Sequence, residues 1–309
     1  MADVIVVGGG IIGLTAATRL REQGAEVLLW SPDDPLATTS AVAAAAWYPT
    51  RTAYDPRVLA WASATYREFR RQARAAVPGV HVRETRNLER TGVTDEPWWA
   101  PAAERVRYLS ADKPWTREVR FEAPMVDMGL YLPWLQAHFE SLGGRVVRRR
   151  VDRLEEALVE APTVVNATGL AAGALCGDPD VHPVRGQIVI VANPGVFMSV
   201  RDEGDPAVYV HPRTRDIVLG GTYQENSWNL TPDPAARDAI VERCVALVPD
   251  LAGAPIVGEK VGLRPVRRGG PRVEAEKWPG GTVVHAYGHG GAGMTLAWGC
   301  ADEVAKLAR

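Results

Sequence analysis

A glycine-rich loop near the start of the chain has the composition and spacing of a phosphate-binding turn. Gly8, Gly10 and Gly13 match the pattern G-x-G-x-x-G, directly after the β-branched run 4–7 and at the start of a helical pattern. The first glycine allows a tight turn, the second lets the backbone approach a pyrophosphate, and the third lets the helix pack closely on the strand. The loop therefore predicts a dinucleotide site, without distinguishing NAD from FAD.

The start of that helix and the end of the next strand should complete the dinucleotide site. Ile11 and Ile12 occupy the variable positions of the motif, where the free N–H groups and the positive end of the helix dipole favour phosphate. A ribose-binding residue is expected about 20 positions after the loop. Asp33 has this spacing and Ser31 is the alternative, while the segment 33–35 is equally compatible with a simple turn.

The order of elements predicts an α/β fold with two interleaved domains. The run 4–7, the amphipathic segment 14–23 and the run 27–30 form one βαβ unit, and similar pieces lie at 163–169 and near the carboxyl end. From residue 186 onwards the pattern changes to short strands with turns. We therefore expect a Rossmann-like domain interleaved with a substrate-binding domain built on a mixed, largely antiparallel sheet. The expected division assigns residues 1–50, 142–185 and 262–309 to the first domain and residues 51–141 and 186–261 to the second.

Local patterns predict further elements between these pieces. Helical periodicity indicates helices over residues 56–77, 132–142 and 237–247. Val146 and Val147, together with Val151, indicate a strand that follows a Gly-Gly pair.

Composition and charge limit the classes of partner. The net charge is −2 and the pI is about 6.3, with no long run of like charge, so neither a nucleic acid nor an anionic membrane surface is expected. No apolar run is long enough to cross a bilayer. Cys176, Cys244 and Cys300 are widely spaced, which favours neither a disulfide framework nor a zinc site and predicts a cytoplasmic protein without a metal. The oligomeric state stays open, with a homodimer among the alternatives.

Six further motifs are more specific than the glycine loop. They are Thr38-Thr39-Ser40 before Ala44-Ala45-Ala46-Trp47, then Val165-Asn166-Ala167-Thr168-Gly169, Arg185-Gly186-Gln187, Gly220-Gly221-Thr222-Tyr223, Gly262-Leu263-Arg264-Pro265-Val266-Arg267 and Tyr287-Gly288-His289-Gly290-Gly291-Ala292-Gly293. With these motifs the sequence resembles the FAD-dependent D-amino-acid oxidases, together with the D-aspartate oxidases, over nearly its whole length.

The resemblance implies that the Rossmann-like domain binds FAD. In addition to the glycine loop, a polar turn would contact the diphosphate or ribityl chain, and the backbone of a strand valine would contact the adenine. Two later segments would contact the flavin. These additional residues are Thr38, Thr39, Ser40, Val151, Thr168, Gly169, Gly288, Gly290, Gly291, Gly293, Met294 and Thr295.

The same resemblance implies which residues bind the substrate. Arg264 would hold the substrate carboxylate, Tyr209 and Tyr223 would reach the same region, and the carbonyl of Gly291 would accept the substrate amino group. His289 would support the loop rather than act as a base. The implied reaction is hydride transfer from a D-amino acid to FAD, with molecular oxygen as the acceptor, giving a 2-oxo acid, ammonia and hydrogen peroxide.

Several alternatives remain at this point. Neutral D-amino acids are favoured as substrates because Arg213 and Arg215, the candidate cations for an acidic side chain, lie in a predicted turn. A D-aspartate oxidase and a glycine oxidase are the nearest alternatives, and an NAD-dependent dehydrogenase or a non-catalytic flavin-binding protein represents a different class. The pocket walls are expected to include Tyr48, Met198 and Trp228.

Overall fold

The computed structural model describes residues 2–49, 52, 54–90 and 95–309, and it contains two β-sheets with helices packed around them. The strands are β1 (Val4–Val7), β2 (Val27–Ser31), β3 (Val80–Glu89), β4 (Glu104–Ser110), β5 (Arg117–Val126), β6 (Arg145–Arg148), β7 (Thr163–Asn166), β8 (Val181–Ala192), β9 (Ser199–Asp202), β10 (Val208–Pro212), β11 (Asp216–Gly220), β12 (Gln224–Glu225), β13 (Ile256–Arg267), β14 (Arg272–Trp278) and β15 (Gly281–Tyr287). The helices are α1 (Ile11–Glu22), α2 (Pro56–Arg74), α3 (Met128–Ser141), α4 (Glu155–Leu158), α5 (Ala172–Cys176), α6 (Pro234–Leu247) and α7 (Gly293–Leu307).

The first sheet is the Rossmann-like layer. Its strand order is β14-β15-β7-β1-β2-β6, and neighbouring strands are parallel except for β14 and β15. Val4 and Val6 of β1 belong to one core cluster, whereas Ile5 and Val7 belong to a second cluster on the opposite face. Burial on both faces explains why this run is continuously hydrophobic rather than alternating.

The second sheet has nine strands in the order β12-β8-β11-β10-β9-β3-β5-β4, with β13 paired to β8. Within the described residues its pairs are antiparallel, apart from β3 with β9. The α/β class and the mixed, largely antiparallel second sheet are thus confirmed. The domain division stays a prediction, and β8 and β13 continue without a break through its boundaries at 185/186 and 261/262.

Helix α7 packs on both α1 and α2 within one core cluster. The approach to α2 is close, since a Cβ at Gly299 would lie 2.3 Å from the Cα of Trp61. The N–H of Gly299 donates to the hydroxyl of Thr65 at 2.9 Å, which fixes the two helices in register.

Three predicted helices are present with shifted ends, and each shift has a local cause. The first ends at Arg74 instead of residue 77, because Ala76 adopts a φ of +53° and the following segment leads into a proline. The other two begin earlier than expected, because Asp127 and Asp233 accept backbone N–H groups of the first turn.

The strand predicted to include Val151 ends earlier than expected. β6 ends at Arg148, and Val151 lies in the loop that follows. The intervening Arg149 turns toward β2, with its N–H donating to the carbonyl of Ser31 at 3.2 Å and its guanidinium 3.9 Å from the ring of Trp30.

Within the described residues, none of the helices combines the length and apolar content that crossing a bilayer requires.

Candidate functional site

A cavity of about 1260 Å³ lies where the carboxyl ends of parallel strands meet the second sheet. The ends of β1, β2 and β15 and the turn after β7 reach it from one side, and residues of β8, β10 and β13 line it from the other. Ligands of open α/β sheets bind at this edge. The volume exceeds the roughly 300–1,000 Å³ of ordinary small-ligand pockets, so one cavity has room for a dinucleotide and a small substrate.

The glycine loop joins β1 to α1 without side chains at its closest contacts. A Cβ at Gly13 would lie 1.8 Å from the carbonyl oxygen of Gly8, and one at Gly8 would lie 2.2 Å from that of Ala167. The N–H of Ile11 donates to the hydroxyl of Ser40 at 3.0 Å, so the polar turn containing Ser40 lies at the N-terminus of α1. The first turn of α1 carries no acidic residue, which leaves its positive end suited to phosphate.

Most residues predicted to bind the cofactor lie in the cavity lining. They are Gly8, Gly10, Ile11, Ile12, Ser31, Asp33, Thr38, Thr39, Ser40, Val151, Thr168, Gly169, Gly288, Gly290, Gly291, Gly293 and Met294. Gly13 lies behind the loop, against the backbone of Gly8. Thr295 is buried, and its hydroxyl donates to the carbonyl of Tyr48 at 3.0 Å and accepts the N–H of Tyr48 at 3.2 Å. Gly13 and Thr295 therefore position neighbouring residues and do not line the cavity themselves.

The residues predicted to bind the substrate share this cavity. Nη1 of Arg264 donates to the carbonyl of Thr222 at 3.2 Å, and its guanidinium carbon lies 5.7 Å from the ring centroid of Tyr223. Burial raises the pKa of Tyr209, while the positive charges of Arg264 and Arg201 act in the opposite direction. The Tyr209 hydroxyl therefore remains a protonated donor at neutral pH.

Two glycines provide the space that these side chains occupy. A Cβ at Gly186 would lie 2.2 Å from Nη1 of Arg264, and one at Gly220 would lie 1.9 Å from the ring of Tyr209. Gly186 lies on β8, which pairs with β13, and Gly220 lies directly opposite Tyr209 on the neighbouring strand. The glycines of two sequence motifs thus have a packing role beneath the candidate substrate residues.

Comparison with known proteins identifies the family. Residues 3–307 match the model of the FAD dependent oxidoreductase family. A D-amino-acid oxidase of Rubrobacter xylanophilus is 46% identical, with 100% of this chain and 96% of the relative covered. The chain belongs to the FAD-dependent oxidoreductases. A human D-aspartate oxidase is 34% identical over 99% of this chain and 94% of its own length. A glycine oxidase from Bacillus cereus has the same fold, with a TM-score of 0.82, 20% identity and coverage of 100% and 95% of the two chains.

The cofactor of this oxidoreductase is FAD, and the cavity fits it. His289 lies in the carboxyl-terminal glycine loop, and burial lowers its pKa to about 4. Its Nε2 atom is buried and has no hydrogen-bond partner among the described residues, although the side chain lines the cavity. A buried polar atom of this kind indicates that a polar group of a ligand completes the site. Across the described ranges, no group of three His, Cys, Asp or Glu side chains is arranged to bind a metal.

Two polar residues of the cavity were not anticipated from the sequence. Arg201 is charged but only 8% exposed, because it lies on the fully buried strand β9. His211 stacks on Tyr209 with ring centroids 4.8 Å apart, and its Nδ1 lies 2.9 Å from the Ser199 hydroxyl. Burial and the nearby charge of Arg201 lower the pKa of His211 to about 3. The sequence of β9, Ser-Val-Arg-Asp, gives no local signal that Arg201 is buried.

The expected pocket walls Tyr48, Met198 and Trp228 lie outside the cavity lining. The ring of Tyr48 contacts Trp99, with centroids 5.2 Å apart, and the side chain is partly buried against the core. Trp228 is 64% exposed. Arg213 is directed away as well, because its Nε donates to Asp216 at 2.6 Å.

Replacing Gly13 by alanine should lower the amount of bound FAD. The new Cβ would collide with the Gly8 carbonyl and displace the loop that faces the phosphates. Gly258→Ala is a matched control, because a Cβ there would lie 3.8 Å from Ile190, an ordinary contact. We expect a several-fold lower ratio of flavin to protein absorbance in the purified Gly13→Ala variant only. Equal flavin content in both variants would contradict this role of Gly13.

Stability should fall in acid because His211 is buried in its neutral form. Its folded pKa of about 3 lies below the unfolded value of about 6.5, so between these values the unfolded chain binds a proton that the folded chain does not. His211→Asn should therefore reduce the slope of the unfolding free energy against pH by about 1.4 kcal/mol per pH unit between about pH 5.5 and 4. Denaturant titrations at several pH values measure this slope for the wild-type protein and for His211→Asn. Equal slopes would refute the claim that His211 is buried in its neutral form.

Proposed function

We propose that this oxidoreductase is a D-amino-acid oxidase that acts on neutral D-amino acids. The observation that carries the proposal is that a single cavity connects the glycine loop to Arg264, Tyr209 and Tyr223. A substrate whose carboxylate is bound at Arg264 is thereby held in the cavity that receives the cofactor. The relative from Rubrobacter xylanophilus, which is named a D-amino-acid oxidase, supports the same activity.

The protein acts by binding and orienting the substrate. The guanidinium of Arg264 offers parallel donors to the carboxylate and stays charged at any working pH. The hydroxyls of Tyr209 and Tyr223 donate to the same region, and the carbonyl of Gly291 accepts from the amino group. Holding both groups directs the α-hydrogen toward the cofactor for one enantiomer only, which selects the D form.

The chemistry that FAD supplies when bound is acceptance of a hydride equivalent and reoxidation by oxygen, so the products are hydrogen peroxide and an imino acid that hydrolyses to a 2-oxo acid and ammonia. The protein does not need to provide a base if the amine is bound unprotonated. His211 and His289 are weak bases, because burial lowers their pKa values to about 3 and about 4.

The substrate class is the point at which the alternatives differ. The human relative is named a D-aspartate oxidase, and an acidic side chain would need a second cation in the cavity. Arg213 is paired with Asp216 outside the lining, and Arg201 inside the lining is paired with Glu203. Neutral side chains therefore suit the cavity better than acidic ones.

We also propose a cytoplasmic location and a homodimeric assembly. Cys176, Cys244 and Cys300 are free thiols, which is typical of a reducing compartment. Strand β4 lies at the edge of the second sheet with most of its residues exposed, and this edge is a candidate dimer contact. Sedimentation of the holoenzyme tests the assembly.

An anaerobic absorption spectrum tests the proposed activity directly. Addition of D-alanine or D-valine should bleach the flavin bands, whereas L-alanine, glycine and D-aspartate should do so much more slowly or not at all. Reduction by D-aspartate or by glycine in preference to D-alanine would replace the proposal by the corresponding alternative. A flavin that no amino acid reduces would favour a non-catalytic flavin-binding protein.

Loss of the Arg264 guanidinium should weaken substrate binding. Arg264→Met should raise KM for D-alanine by at least roughly 30-fold, the equivalent of about 2 kcal/mol, because a buried charge pair is lost. Gly186→Ala should raise KM in the same direction by displacing the guanidinium, while flavin content stays normal. The exposed Arg268 provides the control variant Arg268→Met. An unchanged KM in Arg264→Met would refute the carboxylate-binding role.

A further inference from the structure

The cavity contains a second arginine, Arg201, on the other side of Tyr209 from Arg264. Arg201 lies on β9, directly opposite Tyr209 in the antiparallel pair of β9 and β10. Its guanidinium carbon is 5.9 Å from the ring centroid of Tyr209 and 4.7 Å from that of Tyr48. Because an arginine side chain stays charged, this places a permanent cation in the wall of the substrate cavity.

The sequence next to Arg201 supplies its counter-charge. Glu203 forms an ion pair with the Nε of Arg201, and it is the residue two positions further along the chain. Residues two apart in an extended segment share a face, so the Glu203 carboxylate lies on the same side as Arg201. The intervening Asp202 faces the other side, where it is paired with Arg90.

We propose that Glu203 determines the selectivity between neutral and acidic substrates by occupying Arg201. This inference rests on the proposed function. A D-amino acid held at Arg264 by its α-carboxylate would present its side chain to the cavity wall that contains Arg201. A substrate carboxylate would have to displace the Glu203 carboxylate, which is tethered beside the guanidinium and is thus present at high effective concentration. Glu203 also repels a second carboxylate, so the pair accepts neutral side chains and rejects acidic ones.

The two charges have separable effects. If Glu203 is neutralised, Arg201 loses this carboxylate partner, a substrate carboxylate can take its place, and acidic substrates gain. If Arg201 is removed as well, the gain disappears because no cation remains on β9 to bind the side chain. Glu225 on β12 is an acidic residue of the cavity lining, and it provides a control for the general effect of removing a negative charge from the cavity.

The test compares substrate pairs that differ only in charge. The ratio of kcat/KM for D-glutamate to that for D-glutamine, and likewise for D-aspartate to D-asparagine, should rise at least tenfold in Glu203→Gln. The rise should be absent in the double variant with Arg201→Leu and in Glu225→Gln. Glu203→Ala repeats the test if the glutamine variant folds poorly, as judged by its flavin content. An unchanged ratio, a rise that persists without Arg201, or an equal rise in Glu225→Gln would overturn the proposal.

A binding measurement separates this inference from the proposed function. Succinate and butyrate have the same chain length and differ by one carboxylate, and their dissociation constants with the FAD-loaded protein can be measured from changes in the flavin spectrum. Glu203→Gln should tighten succinate binding at least tenfold relative to butyrate. This result would support the role of Glu203 even if no amino acid reduced the flavin. Equal relative affinities in the wild-type and variant proteins would refute it.

Discussion

A Cβ at Gly13 would lie 1.8 Å from the carbonyl oxygen of Gly8, and a Cβ at Gly8 would lie 2.2 Å from that of Ala167. Because neither position has room for a side chain, the end of β1, the start of α1 and the turn after β7 pack directly against one another. The free N–H groups of α1 therefore face the cavity at a fixed position. The polar turn is fixed to this helix end by the hydrogen bond from Ile11 to Ser40, and the carboxyl-terminal loop lines the same cavity.

The substrate residues depend on the second sheet for the same kind of reason. β13 pairs with β8 over almost its full length, in the register that places Gly262 beside Gly186. This register brings Arg264 over Gly186, where a Cβ would lie 2.2 Å from Nη1, so the guanidinium occupies space that the glycine leaves open. Because β13 continues through this site to the bridge between Val266 and His289, the position of Arg264 is coupled to the loop that receives the flavin.

The parts of the molecule that the sequence predicted best are those set by local patterns. The β1 run, the glycine loop and α1 are specified by adjacent residues, and the motif containing Arg264 is identifiable by resemblance. Arg201 and His211 were not anticipated, because their burial results from pairing between β9, β10 and β11, which no local period encodes. The expectation that Trp228 lines the pocket is wrong for a different reason, since an aromatic residue near a site motif gives no indication that its side chain faces solvent.

Burial in this cavity acts differently on each type of titratable side chain. Histidine loses its charge, as the lowered pKa values of His211 and His289 indicate, and the raised pKa of Tyr209 keeps that hydroxyl neutral. Arginine keeps its charge and is stabilised by a partner instead, as Arg201 is by Glu203. The cations that remain available are therefore determined by which arginines have an internal carboxylate. Selectivity for the charge of a ligand thus arises from the pairing of arginines within the protein.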